Sequence, residues 1–197
     1  MIKKIFLQGQ IPYLARIKPV LYWAAWIAPL SIFFMYGEHG EFAKIGWIAL
    51  VAVMAIRPLA DILPGLRILR TLSCLRREFG VFAGMMFIAH FVGWMLYRGI
   101  TLPEIFTKSY FWVPDGIFLW GLLGIFVTIL VLLTSNLFAM KFLKRKWNVM
   151  QDLSYLILLF GGIHIMLVGE KSGLIGIAIV TILCLLAKLK FRLKLIQ

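Results

Sequence analysis

The sequence is poor in the residue types from which soluble enzymes and metal modules are built. Its 197 residues include only 8 acidic side chains, 3 histidines and 2 cysteines. Cys74 and Cys184 lie in different parts of the chain, with no CxxC pair and no Cys/His ligand spacing, which excludes a disulfide framework and a zinc module. There is no Ser/His/Asp set, no paired carboxylates, no P-loop and no GxGxxG. No internal repeat, low-complexity tract or polar tail interrupts the chain. What it has in quantity is apolar: 62% hydrophobic and 15% aromatic residues, with a mean hydropathy of +0.96. Soluble domains are apolar in about half their residues. The composition is that of an integral membrane protein.

Uncharged apolar stretches predict an all-α, six-helix transmembrane bundle, with spans at Pro19–Gly37, Ile45–Ile56, Phe79–Tyr97, Gly116–Met140, Leu153–Gly169 and Ser172–Ala187. The second is the shortest, lying between Lys44 and Arg57, and it crosses only if those cations reach outward. The chain is expected to form a single transmembrane domain, residues 1–197. Met1 to Gln10 lacks a small-residue cleavage site, so the first apolar stretch is expected to be retained as a helix. Charge sets the orientation. With both termini cytoplasmic, all of the 21 cations except Lys44, Arg98, Lys108 and Lys171 fall on the inner side. The net charge of +13 therefore marks a face against anionic lipid, and nucleic-acid binding has no separate support. Between spans, Leu66–Leu75 reads as an interfacial amphipathic helix, Arg98–Asp115 as the longest outer loop, and Gly169–Gly173 as the turn of a helical hairpin.

Ionisable groups inside a membrane are costly and mark candidate functional sites. His90 and His164 are the two that qualify. His90 lies eleven residues after Phe79 and His164 twelve after Asp152, on two helices that both run outward. Both imidazoles are thus expected about 16–18 Å from the inner ends. Two imidazoles at one depth across a bundle match the axial positions of a six-coordinate haem iron. Gly84, Gly93, Gly161 and Gly162 would let backbone approach a flat ring, with Met86, Phe87, Trp94 and Phe160 on the adjoining turns. Glycines at helix crossings are also ordinary membrane packing, and an intramembrane histidine can simply bond a neighbouring helix. His39, in the turn Gly37–Glu41, reads as a solvated loop residue, and Lys141–Trp147 as a topology signal or a reductase docking segment.

The stretch from Arg57-Pro58-Leu59 through Leu75-Arg76-Arg77-Glu78-Phe79-Gly80 to His90 resembles the ferric-reductase-like transmembrane domain, most closely its small bacterial MsrQ (YedZ) branch. Ile105–Tyr110, Leu133-Thr134-Ser135, Trp147, Leu153, Tyr155 and His164 extend the resemblance to about residues 45–168. It implies a haem b subunit of a bacterial inner membrane with one haem, His90 and His164 as axial iron ligands, and one-electron transfer outward. The implied donor is a cytoplasmic flavin reductase or quinol, with FMN or a quinone as a further cofactor. The implied acceptor is a periplasmic redox partner, such as a molybdenum-dependent methionine sulfoxide reductase, or ferric iron. Arg76 and Arg77 are the residues expected to meet a haem propionate, a flavin phosphate or a quinone oxygen, with the role of ordinary positive-inside arginines as the alternative. Fourteen helical steps leave Arg76 within about 40° of the His90 face. Where the family usually has an inner histidine, four residues after the Trp, this chain has Gln151. A haem-free proton or metal transporter using the His pair, and a structural or accessory subunit of a larger complex, remain open alternatives.

Overall fold

The structure is a computed structural model that describes residues 13–196, with side chains through residue 193. Lys3, Lys4 and the side chain of Lys194, expected on the inner side, lie outside the described residues. Every regular element among the described residues is helical. Ten α-helices follow one another: α1 (Leu14–Ile27), α2 (His39–Ile62), α3 (Arg67–Ser73), α4 (Arg76–Arg98), α5 (Leu102–Thr107), α6 (Ile117–Thr134), α7 (Leu137–Leu143), α8 (Arg145–Asp152), α9 (Ser154–Leu167) and α10 (Ser172–Ile196). Among the described residues, five segments are long and apolar enough to cross a membrane: Tyr36–Ile62, Arg76–Arg98, Ile117–Thr134, Arg145–Leu167 and Ser172–Leu193.

The first expected span differs from its sequence reading. The 14 residues of α1 cover about 21 Å, short of a core of about 30 Å. Pro29 is the cause. It has no N–H to continue the α-helical bonding and its ring crowds the preceding turn, and the chain tightens there into a 3₁₀ segment, Ala28–Phe33. The second span is instead longer than its uncharged stretch. α2 runs 24 residues because Lys44 pairs with Glu41 on the helix surface at 2.7 Å and need not end it. The fourth is shorter: α6 stops at Thr134, and Asn136 starts α7 by accepting the Ala139 N–H at 2.8 Å. The fifth begins earlier than Leu153, since α8 leads into α9 through Leu153.

Connectors follow their local chemistry. The interfacial helix appears as α3, and the outer loop folds into α5 and a 3₁₀ turn at Ser109–Trp112. Thr101 and Glu104 form a capping box on α5. A side-chain bond from Lys108, then the Thr101 N–H and hydroxyl, hold the Glu104 carboxyl down to about 2. α4 closes on Gly99 at φ 64°, the left-handed position that glycine takes without a Cβ clash.

In the bundle, α4 lies between α1 and α2 and also touches α6, while α10 packs on α2 and α9. Trp47 of α2 sits at the centre, 5% exposed. Its indole N–H donates to the Ser172 carbonyl at 3.1 Å, and its ring faces Gly161 of α9 and Gly176 of α10. The α9–α10 hairpin, turned by Gly169 at φ 97°, closes where Gly173 meets the Gly162 carbonyl with no room for a Cβ. Gly173→Val should therefore cost about 1–3 kcal/mol through overpacking. Gly80→Ala, which meets open space, should be neutral or stabilising by up to about 1 kcal/mol. Thermal unfolding in detergent, followed by far-UV circular dichroism, checks the contrast, and equal effects would contradict the packing.

Candidate functional site

His90 projects from α4 and His164 from α9, and their ring centres are 6.5 Å apart at an interplanar angle of 57°. The two rings thus lie at one level of the folded bundle. Each ring is oriented through Nδ1 by a main-chain carbonyl on a neighbouring helix. His90 Nδ1 lies 2.9 Å from the His39 carbonyl oxygen, and His164 Nδ1 lies 2.7 Å from that of Ile117. Both carbonyls belong to the first residue of a helix, α2 and α6 respectively. A carbonyl oxygen has two lone pairs, so each can accept an imidazole N–H while serving its own helix. The carbonyl contacts require the proton on Nδ1, which leaves Nε2 with its lone pair. Among the described residues neither Nε2 has a hydrogen-bond partner.

His39 is placed differently from its reading as a solvated loop residue. α2 starts at His39, six residues before the uncharged stretch, and carries it against α4. Its Nδ1 lies 3.4 Å from His90 Nδ1, and its ring centre is 5.3 Å from that of His90 and 5.5 Å from that of Tyr97. Gly93 permits this, because a Cβ there would sit 2.9 Å from the His39 Cβ and 2.5 Å from Ile32 Cδ1. Gly121 plays the same part for the other ring, since its Cβ would come within 3.0 Å of His164 Nδ1. The sequence offered no clear signal for Gly121, which is one small residue in an apolar helix.

The other glycines expected to face a flat ring face side chains instead. Gly84 receives Leu132, Gly161 receives Trp47, and Gly162 receives Ile177. They serve helix packing. At the opposite end of α4, consecutive arginines part company. Arg77 is committed: its guanidinium reaches Glu78 Oε1 at 2.8 Å and lies 5.3 Å from the centre of the Tyr22 ring. Arg76 lies within electrostatic reach of Arg57, Asp152, Tyr155 and Cys184, and among the described residues its buried Nε has no hydrogen-bond partner. Gln151 turns toward the end of α6, donating to Thr134 Oγ1 at 3.3 Å and Ser135 Oγ at 3.4 Å, while the Trp147 indole donates to the Thr134 carbonyl at 2.9 Å.

The donor set fits a bis-imidazole metal centre. A metal–imidazole bond of about 2.0 Å, extended by about 1 Å to each ring centre, puts two such rings roughly 6 Å apart. Ligating histidines characteristically give their second N–H to a carbonyl, which fixes tautomer and orientation. Nitrogen-15 NMR of the haem-free protein in lipid should accordingly find His90 and His164 both as the Nδ1–H tautomer. Nε2–H signals for either would contradict the carbonyl anchors.

Comparison with known proteins leads to the same chemistry. The chain is similar to the protein-methionine-sulfoxide reductase heme-binding subunit MsrQ of Agrobacterium fabrum, with 30% identity over 108 residues. These make up 52% of this chain and 47% of that protein, so the chain spans about half the length of the curated relative it matches. No protein-family model matches, and no solved structure matches. The similarity is to a subunit named for binding haem, and it agrees with the MsrQ branch that the residues themselves resemble.

Proposed function

We propose that this chain is a haem b electron-transfer subunit of the MsrQ kind, a multi-pass protein of a bacterial inner membrane. The observation that carries the reading is the pair of histidines at 6.5 Å, each anchored through Nδ1 with Nε2 left available. His90 and His164 would hold the iron of such a haem, which would supply one-electron relay rather than substrate activation. The His39 and Ile117 carbonyls aim them, and Gly93 and Gly121 keep the aiming helices close. In this reading α1 and the 3₁₀ segment after it complete a sixth crossing, both termini are cytoplasmic, and electrons leave toward a periplasmic acceptor. That acceptor is a methionine sulfoxide reductase or a ferric compound.

On the inner side, the half-buried Arg76 is the residue suited to a flavin phosphate or quinone oxygen, because its Nε is buried and unpaired. Arg77, spent on Glu78 and Tyr22, serves stability. Gln151, bonded to Thr134 and Ser135, ties α8 to α6 in place of an inner histidine, which favours one haem per chain and a separate donor cofactor.

A reduced-minus-oxidised absorption spectrum of the purified protein should show one low-spin b-type haem per chain. His90→Ala and His164→Ala should each abolish it, and Gly121→Val should weaken it. His39→Ala should keep it, because the anchoring carbonyl is main-chain. A low-spin spectrum surviving loss of either intramembrane histidine would refute the ligand assignment.

The two arginines give a second test, in sealed vesicles of known orientation. Arg76→Glu should slow haem reduction from the cytoplasmic side at least several-fold with an unchanged spectrum. Arg77→Glu should instead lower the unfolding temperature. Equal rates for Arg76→Glu and the parent protein would return Arg76 to the role of a topology signal.

A further inference from the structure

At the charged end of the bundle, away from the histidines, a cavity of about 490 Å³ opens between α2, α3 and α10. Its lining includes Arg57 and Asp61 from α2, Arg70 from α3, and Lys188, Lys190 and Phe191 from α10. Four cations thus meet one carboxylate. Cations on an inner membrane face normally point outward into water, where they are screened from one another. Here helices distant in sequence aim them at one concavity. Among the described residues, none of Arg57, Arg70 and Lys188 has an ion-pair partner within 4.0 Å. The Lys190 ammonium is held in place by the Ile62 carbonyl, one of the orphan acceptors at the end of α2. A lysine has three donors, so two remain after that bond. The cavity therefore gathers like charges whose mutual repulsion a bound anion would relieve.

The chemistry that suits two guanidinium forks and two ammonium groups is a phosphate ester, which arginine can grip with paired N–H bonds. The remaining lining favours a lipid as its source. Phe191 is 65% exposed, and the neighbouring Leu189 and Leu193 are 54% and 55% exposed on the same end of α10. The site is thus basic at its centre and apolar at its margin, at the ends of α2 and α10, both parts of segments long and apolar enough to cross a membrane. Basic pockets between membrane helices at the cytoplasmic boundary are where anionic head groups are held. We propose that this cavity binds the phosphate of an anionic phospholipid head group. Asp61 limits the site to a head group that also offers a donor, such as a glycerol hydroxyl.

The test uses the full chain, purified in detergent and washed, with bound phospholipid counted by native mass spectrometry after exchange into phosphatidylglycerol or phosphatidylcholine. The parent protein should retain about one phosphatidylglycerol and no phosphatidylcholine. Arg57→Gln/Arg70→Gln/Lys188→Gln should retain at least tenfold less. Lys141→Gln/Lys144→Gln/Arg145→Gln, which removes equal charge outside the cavity, should retain as much as the parent. Equal loss in both triple variants would mean diffuse surface attraction and would overturn the site. Inorganic phosphate at millimolar concentration should leave the lipid in place. Displacement by it, or phosphate bound in the lipid's stead, would reassign the cavity to a soluble phosphate and overturn the lipid. The single variant Arg70→Gln, on a short exposed helix, repeats the test should the triple variant not fold, and unchanged retention there would likewise count against the proposal.

Discussion

Helices that share a bilayer gain little from apolar burial against one another, so their contacts must come from close packing and from hydrogen bonds that lipid cannot supply. Trp47 provides both at one point. Its indole donates to the Ser172 carbonyl while two glycines, Gly161 and Gly176, let α9 and α10 close on its ring. Once α9 and α10 are fixed to α2 in this way, His164 is carried to the depth of His90, which α4 holds against the same helix. The geometry of the pair is thus a consequence of the packing around a tryptophan that touches neither imidazole as a hydrogen-bond partner.

Much of this was legible from counting. The depth of the two histidines needed only the positions of Phe79 and Asp152 and a constant rise per residue, and the ring centres lie 6.5 Å apart. The third histidine was hidden by the way spans are recognised. A stretch free of charge begins at Ile45, but the helix begins at His39, because Lys44 and Glu41 neutralise each other along its surface. The first span departs from its reading for the opposite reason. Hydropathy is continuous through Pro29, while the backbone is not. Gly121 could not be singled out at all, since its importance depends on which ring lies across from it.

The two ends of the molecule follow different physical rules. At the histidine end, main-chain carbonyls orient the His90 and His164 rings, and His39 lies beside the first of them. At the other end, side chains with full charge lie at the bundle's margin or are bonded into it. Gln151 shows the difference: in place of a metal-ligating group it offers an amide, which Thr134 and Ser135 satisfy. The α8 end of the Arg145–Leu167 segment is thereby built as a joint between α6 and α8.

Glu78 is 1% exposed, with Arg77 on one oxygen, Lys18 of α1 at 4.0 Å and, among the described residues, no hydrogen-bond partner for its second oxygen. Such a carboxylate is costly to leave alone in a low-dielectric setting. Lys18 and Tyr22, the residues of α1 that meet this cluster, come from a helix synthesised some sixty residues earlier. α1 can therefore complete these contacts only once α4 has been made, so the seat of the broken first segment depends on a carboxylate that comes later in the chain.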